Sequence, residues 1–129
     1  MLSARWNRTQ LVAMYLAPPC GRLPRWVWLK PAGAIRKLYR AVGWTTKDVD
    51  LFEINEAFAV VPMAFMQEMG LSREIVNVNG GACALGHPIG ASGARIIVTL
   101  LNALEKRGLK RGVAAICIGG GEGTAIAIE

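Results

Sequence analysis

Two runs rich in Ile, Val and Ala, residues 113–118 and 124–128, are separated only by Gly119-Gly120-Gly121-Glu122-Gly123. So short and bare a connection suits two buried strands joined by a close-packed turn. The preceding segments alternate between helical and strand patterns. Residues 32–42 place Ile35, Leu38, Tyr39 and Val42 at helical spacing, and Gly43 supplies a left-handed stop. Thr45 to Asp48 reads as a capping or turn signal before a strand over 50–54. A largely apolar helix is predicted over 55–69, ended by Gly70 and bent or weakened at Pro62. A short strand over 75–78 follows, then a loop of small residues over 79–90. Residues 91–106 carry Ile96, Ile97, Leu100, Leu101 and Leu104 on one helical side, closed by Gly108. This order predicts an α/β fold: a mixed sheet with helices packed on it.

The first thirty residues do not fit that pattern. Trp6, Trp26 and Trp28 stand among Pro18, Pro19, Pro24 and scattered arginines with no sustained period. Residues 1–30 are therefore read as an atypical segment, disordered or produced by a displaced start, and 31–129 as the domain. Charge divides along similar lines. Residues 1–47 hold nine of the 15 Lys and Arg and none of the nine acids, which leaves a net of −3 on residues 48–129. No nucleic-acid-binding motif accompanies the basic segment, so no nucleic-acid partner is expected. No apolar run approaches the roughly 18–20 residues that span a bilayer, and no membrane association is expected. Cys20, Cys83 and Cys117 form no paired framework, and one histidine is a poor basis for a metal site; none is expected. A reducing, cytoplasmic setting fits, with a mitochondrial one as the alternative because the acid-free, arginine-bearing start has presequence composition.

His87 is the single histidine, in Gly86-His87-Pro88 just before a predicted helix N-terminus. Positive potential there favours a neutral imidazole beside an anion, so it could serve as base and oxyanion donor; a loop histidine without a role is the competing reading. Cys117 ends a strand and runs into three glycines. It is either an inert core thiol or a thiol facing a crevice, where the Gly119 N–H could point at a developing oxyanion. Asn55 stands at a strand–helix joint, where it either caps the helix or holds a water molecule. Phe58 either packs in the core or walls an apolar substrate channel.

Three strings carry a family likeness: Asn55-Glu56-Ala57-Phe58; Asn79-Gly80-Gly81 with Gly86-His87-Pro88-Ile89-Gly90-Ala91-Ser92-Gly93; and Cys117 followed by Gly119-Gly120-Gly121. In this order and at these separations, residues 31–129 resemble the C-terminal half of a thiolase, the family that makes or cleaves carbon–carbon bonds between acyl-CoA molecules. The resemblance implies that His87 activates a nucleophilic cysteine and, with a water held by Asn55, stabilises an enolate. It implies that Cys117 moves the α-carbon proton, that the Gly119 N–H serves the other oxyanion hole, and that Phe58 lies along the substrate. It also implies acetyl-CoA and acetoacetyl-CoA as substrates, coenzyme A thioesters with no further cofactor, and either a missing N-terminal half or a homo-oligomer as partner. Cys20 lacks the context that lowers a thiol pKa, and Cys83 reads as a small packing residue whose neighbours do not resemble the nucleophile's motif, so the chain by itself is expected to form no acyl-enzyme. The alternative is a non-catalytic module that binds a partner through its exposed apolar face.

Overall fold

A computed structural model describes residues 11–17, 30–118 and 122–129. Among these, four strands form one sheet in the order β1-β4-β3-β2, with β1 at Leu11–Ala17, β2 at Leu51–Ile54, β3 at Gly112–Ile118 and β4 at Glu122–Ile128. β3 and β4 pair antiparallel, with Val113 opposite Ala127 and Cys117 opposite Gly123, as their short connection requires. β2 runs parallel to β3. The long helical connection between them makes room for that direction, and with β4 antiparallel the sheet is mixed. β1 pairs antiparallel with β4, which places a strand inside the first thirty residues, where the sequence shows no strand period.

Helix α1, Lys30–Val42, buries Ile35, Leu38 and Tyr39 and turns Arg36 and Arg40 outward. Gly43 ends it at φ 73° with its N–H on the Tyr39 carbonyl, the left-handed geometry expected there. Helix α2, Val60–Met69, adds Val61 and Phe65 to the same side, and the Phe65 ring meets Phe52 of β2 at 5.8 Å between centroids. After the single turn α3, Ala82–Leu85, helix α4 occupies Ser92–Arg107 and covers the other face with Ile96, Leu100, Ala103 and Leu104. All four residues of β2 are buried because the strand lies between layers: Phe52 and Ile54 belong to the α1–α2 core, and Leu51 to the α4 core. A Cβ on Gly112 would come within 2.9 Å of Leu100 and Leu104, so α4 rests directly on the start of β3.

Three expectations fail for reasons that bear on the site. The helix predicted from residue 55 begins at Val60. The Asn55 N–H instead continues the ladder to the Ala115 carbonyl at 2.9 Å, so Asn55 ends a strand and is not a helix cap. Pro62 falls in the first turn of α2, where a missing N–H forfeits no helical bond, and it breaks nothing. The strand predicted over 75–78 is replaced by a tight turn at Arg73–Ile75 and two isolated bridges, Val76 to Phe52 and Val78 to Gly80. Asn77 stops the extension, with φ 49°, and spends its side chain on β2. Cys20 and the glycine turn at 119–121 lie outside the described residues.

Candidate active site

Asn55 and His87, 32 residues apart in the chain, meet at the end of β2: Asn55 Nδ2 lies 3.3 Å from His87 Nε2. The other ring nitrogen, Nδ1, is 2.6 Å from Ser92 Oγ. Ser92 Oγ also lies 3.0 Å from the Pro88 carbonyl, so the hydroxyl bridges the ring and the turn that opens α4. In the tautomer with the proton on Nδ1, Ser92 Oγ accepts from the ring and the Nε2 lone pair faces the Asn55 amide. Ser92 is buried in the first turn of α4, and the Ala91 and Ser92 N–H groups also converge on the Pro88 carbonyl. The ring is thus held by the start of α4 while remaining largely exposed. Asn55 is fully buried, and its Oδ1 has no partner among the described residues, an acceptor ready for a water or a ligand donor.

The segment carrying His87 is tied to β2 by Glu56 and Asn77. Asn77 accepts from the Ile54 N–H at 2.7 Å and donates to the Ile54 carbonyl at 2.8 Å, acting as a side-chain substitute for the next strand. It also donates to Glu56 Oε1 at 3.1 Å, while Glu56 Oε2 accepts from the Cys83 N–H at 2.9 Å. Asn55 is therefore held through both chain neighbours. Burial works against the Glu56 carboxylate, but the hydrogen bonds from Cys83 and Asn77 outweigh it and hold its pKa below the ordinary value. Gly81 makes this contact possible: a Cβ there would lie within 2.6 Å of the Glu56 carboxyl carbon and both oxygens.

Glu53 and Arg95 sit behind the Asn55–His87 pair, joined at 3.3 Å between Oε2 and Nη1. Burial pushes the Glu53 carboxyl up to about 7, with Arg95 opposing the shift and Glu56 adding to it. Cys117, half-buried near the end of β3, has its thiol pKa raised by burial. No hydrogen bond joins Cys117 to Asn55 or His87 among the described residues, and Gly119 lies outside them. Phe58 sits in the turn before α2, its side chain 60% exposed and outside the core. Val60, Met63, Leu85 and Ile89 are exposed in the same two segments that flank the Asn55–His87 contact. Cys83 is exposed, and it is its backbone N–H that acts.

The sequence named Asn55 and His87 as candidates, which the structure brings together, and gave no sign of the residues that hold them. Ser92 lies inside the quoted glycine-rich string but carries no spacing signal for histidine orientation. Glu56 lies inside the Asn55 string. Glu53, Asn77 and Arg95 had no local signal at all.

An imidazole held at one ring nitrogen by a serine and set beside a buried amide at the other, at the end of a strand in a layered mixed sheet, is chemically able to transfer a proton and to bind an oxyanion. The chain belongs to the thiolase family, whose C-terminal domain model, described as "Thiolase, C-terminal domain", matches residues 9–129. It is 59% identical over 99 residues to the cytosolic acetyl-CoA acetyltransferase of Mus musculus, covering 77% of this chain and 25% of that protein. The crystal structure of the Bacillus anthracis acetyl-CoA acetyltransferase superposes with a TM-score of 0.86 at 47% identity, over 95% of this chain and 30% of that one. Human mitochondrial 3-ketoacyl-CoA thiolase gives the same TM-score at 40% identity, over 94% and 30%. The chain thus spans between a quarter and a third of the length of these relatives.

Proposed function

We propose that this chain supplies the His87–Asn55–Cys117 half of an acyl-CoA C-acyltransferase site, for thiolysis of acetoacetyl-CoA and the reverse Claisen condensation of acetyl-CoA. The observation that carries the reading is the Asn55–His87 contact, with Ser92 Oγ against the other ring nitrogen. An unprotonated Nε2 can take the proton of an attacking thiol, leaving thiolate and imidazolium. The Nε2–H so formed can then donate to an enolate oxygen, with Asn55 holding a water as the second donor. Burial of Cys117 keeps its thiol protonated near neutrality, which suits delivery of a proton to the α-carbon as the carbon–carbon bond breaks. The Gly119 N–H is the proposed donor to the other oxyanion, and Phe58 with the exposed apolar residues beside it lines the acyl-CoA channel.

Neither Cys83 nor Cys117 is placed as the attacking thiol, since both have raised pKa values. Catalysis on this reading requires a second half that carries it. The test is thiolysis of acetoacetyl-CoA by the 129-residue chain alone and after addition of the N-terminal part of an acetyl-CoA acetyltransferase. Activity is expected only in the mixture, and His87→Ala should lower it by about 10²–10⁴-fold. Activity of the chain alone, or of the His87→Ala mixture at full rate, would sink the proposal. The exposed Met63, Leu85 and Ile89 also favour a second reading, a partner-binding module without catalysis. Tight association with no rescue by any N-terminal part would select that reading. The cytosolic mouse relative favours a cytoplasmic location, and the human mitochondrial one keeps mitochondria as the alternative.

A further inference from the structure

The contacts between β2 and α4 change character along their length. Far from the site they are apolar, Leu51 packing with Leu100 and Leu104. Nearer the site, the same strand face carries Glu53 and then Asn55, and the facing turns of α4 carry Arg95 and then Ser92. Two polar rungs result: Asn55–His87–Ser92 at the rim, and Glu53–Arg95 one step behind it. Glu53 is 1% exposed, and its Oε1, the Arg95 Nη2 and the Asn55 Oδ1 are all buried without a partner among the described residues. Packing alone would be served by another apolar pair, as one step further along. A buried ion pair is a poor source of stability, so its place directly behind the site needs another reason.

We propose that Glu53 and Arg95 are positioning residues for His87: their pair sets the distance between β2 and the first turns of α4, which fixes the Asn55–His87 contact. The proposal rests on the catalytic reading of His87 only for its purpose, since the geometry it describes needs no substrate. The charged groups facing Glu53 are Arg95 and Glu56. Replacing Glu53 by Gln preserves shape but weakens the tie to Arg95. Replacing both residues abolishes it.

Because the chain has one histidine, its ring signals report this directly by NMR. In Glu53→Gln the nuclear Overhauser contact between the Asn55 side-chain amide and the His87 ring should weaken. In Glu53→Gln/Arg95→Met that contact should disappear. Ile96→Ala, in the same helix–strand interface, is the control: it should lose stability yet keep the contact. A contact retained in the double variant, or lost to the same extent in Ile96→Ala, would overturn the proposal. A double variant that fails to fold where Ile96→Ala folds would assign the pair to the core and overturn it too. None of these readouts uses acyl-CoA, so they are independent of the outcome of the thiolysis assay.

Discussion

Gly81→Ala tests how the His87 segment is held to the sheet. Gly81 has extended backbone angles that any residue adopts, φ −150° and ψ −161°, so the substitution creates no backbone strain. The added methyl meets the Glu56 carboxyl group instead, within 2.6 Å of three of its atoms. Glu56 must swing away and give up its bonds from Asn77 Nδ2 and the Cys83 N–H. Each is a hydrogen bond to a charged acceptor, worth roughly 1.5–3 kcal/mol, and the lower end applies because Glu56 is only partly buried. The expected loss is about 3 kcal/mol, read by urea unfolding. Glu56→Ala removes the same two bonds and should cost about as much. The double variant then has no clash left to create and should cost about 3 kcal/mol again, so the two changes are strongly non-additive. A Gly81→Ala cost within about 0.5 kcal/mol of zero, or additive costs in the double variant, would refute the reasoning.

Two further outcomes follow from the same contacts. Glu53 has a folded-state pKa raised to about 7 from 4.5, so between these values the folded state binds more protons than the unfolded one; its contribution to stability is greatest below about 4.5 and falls as pH rises to about 7. The difference in unfolding free energy between the parent and Glu53→Gln should change by about 2–3 kcal/mol across that window and flatten above it, and a slope of opposite sign would refute the assignment. Ser92→Ala removes the partner of His87 Nδ1, and ¹⁵N chemical shifts of the single imidazole should show the balance of its two neutral tautomers change, with a stability loss of about 1–2 kcal/mol.

Helices α1 and α4 were legible in the sequence because each is a long amphipathic pattern ended by a glycine, and Gly43 and Gly108 do adopt the left-handed conformation expected of them. The paired strands around 119–123 were legible for a similar reason, since a connection so short leaves little choice of neighbour. The errors sit where a side chain from a distant segment overrides local preference. Residues 55–59 have apolar, helix-compatible neighbours, but the Asn77 side chain and the Ala115 carbonyl hold them extended or in a turn. Residues 75–78 read as a strand until Asn77 turns at positive φ to make those bonds. The strand at Leu11–Ala17 has no period of its own to read, and its pairing with β4 is a property of the sheet.

The strings around His87 and Cys117 stand out in the sequence because glycine and proline recur in them at short spacing, the mark of tight backbone, whereas the Asn55 string has neither. The sequence by itself determined the layered α/β class, the principal helices and which residues are candidates for chemistry. Tertiary structure alone decided how those residues are held: Ser92 meets the His87 ring, Glu56 and Asn77 pin the loop, and Glu53 meets Arg95 across 42 residues of chain. Such contacts join residues distant in the chain through hydrogen bonds a few ångströms long. No periodicity along the chain encodes a distance between two elements, and a side-chain proton is assigned only once its neighbours in space are known.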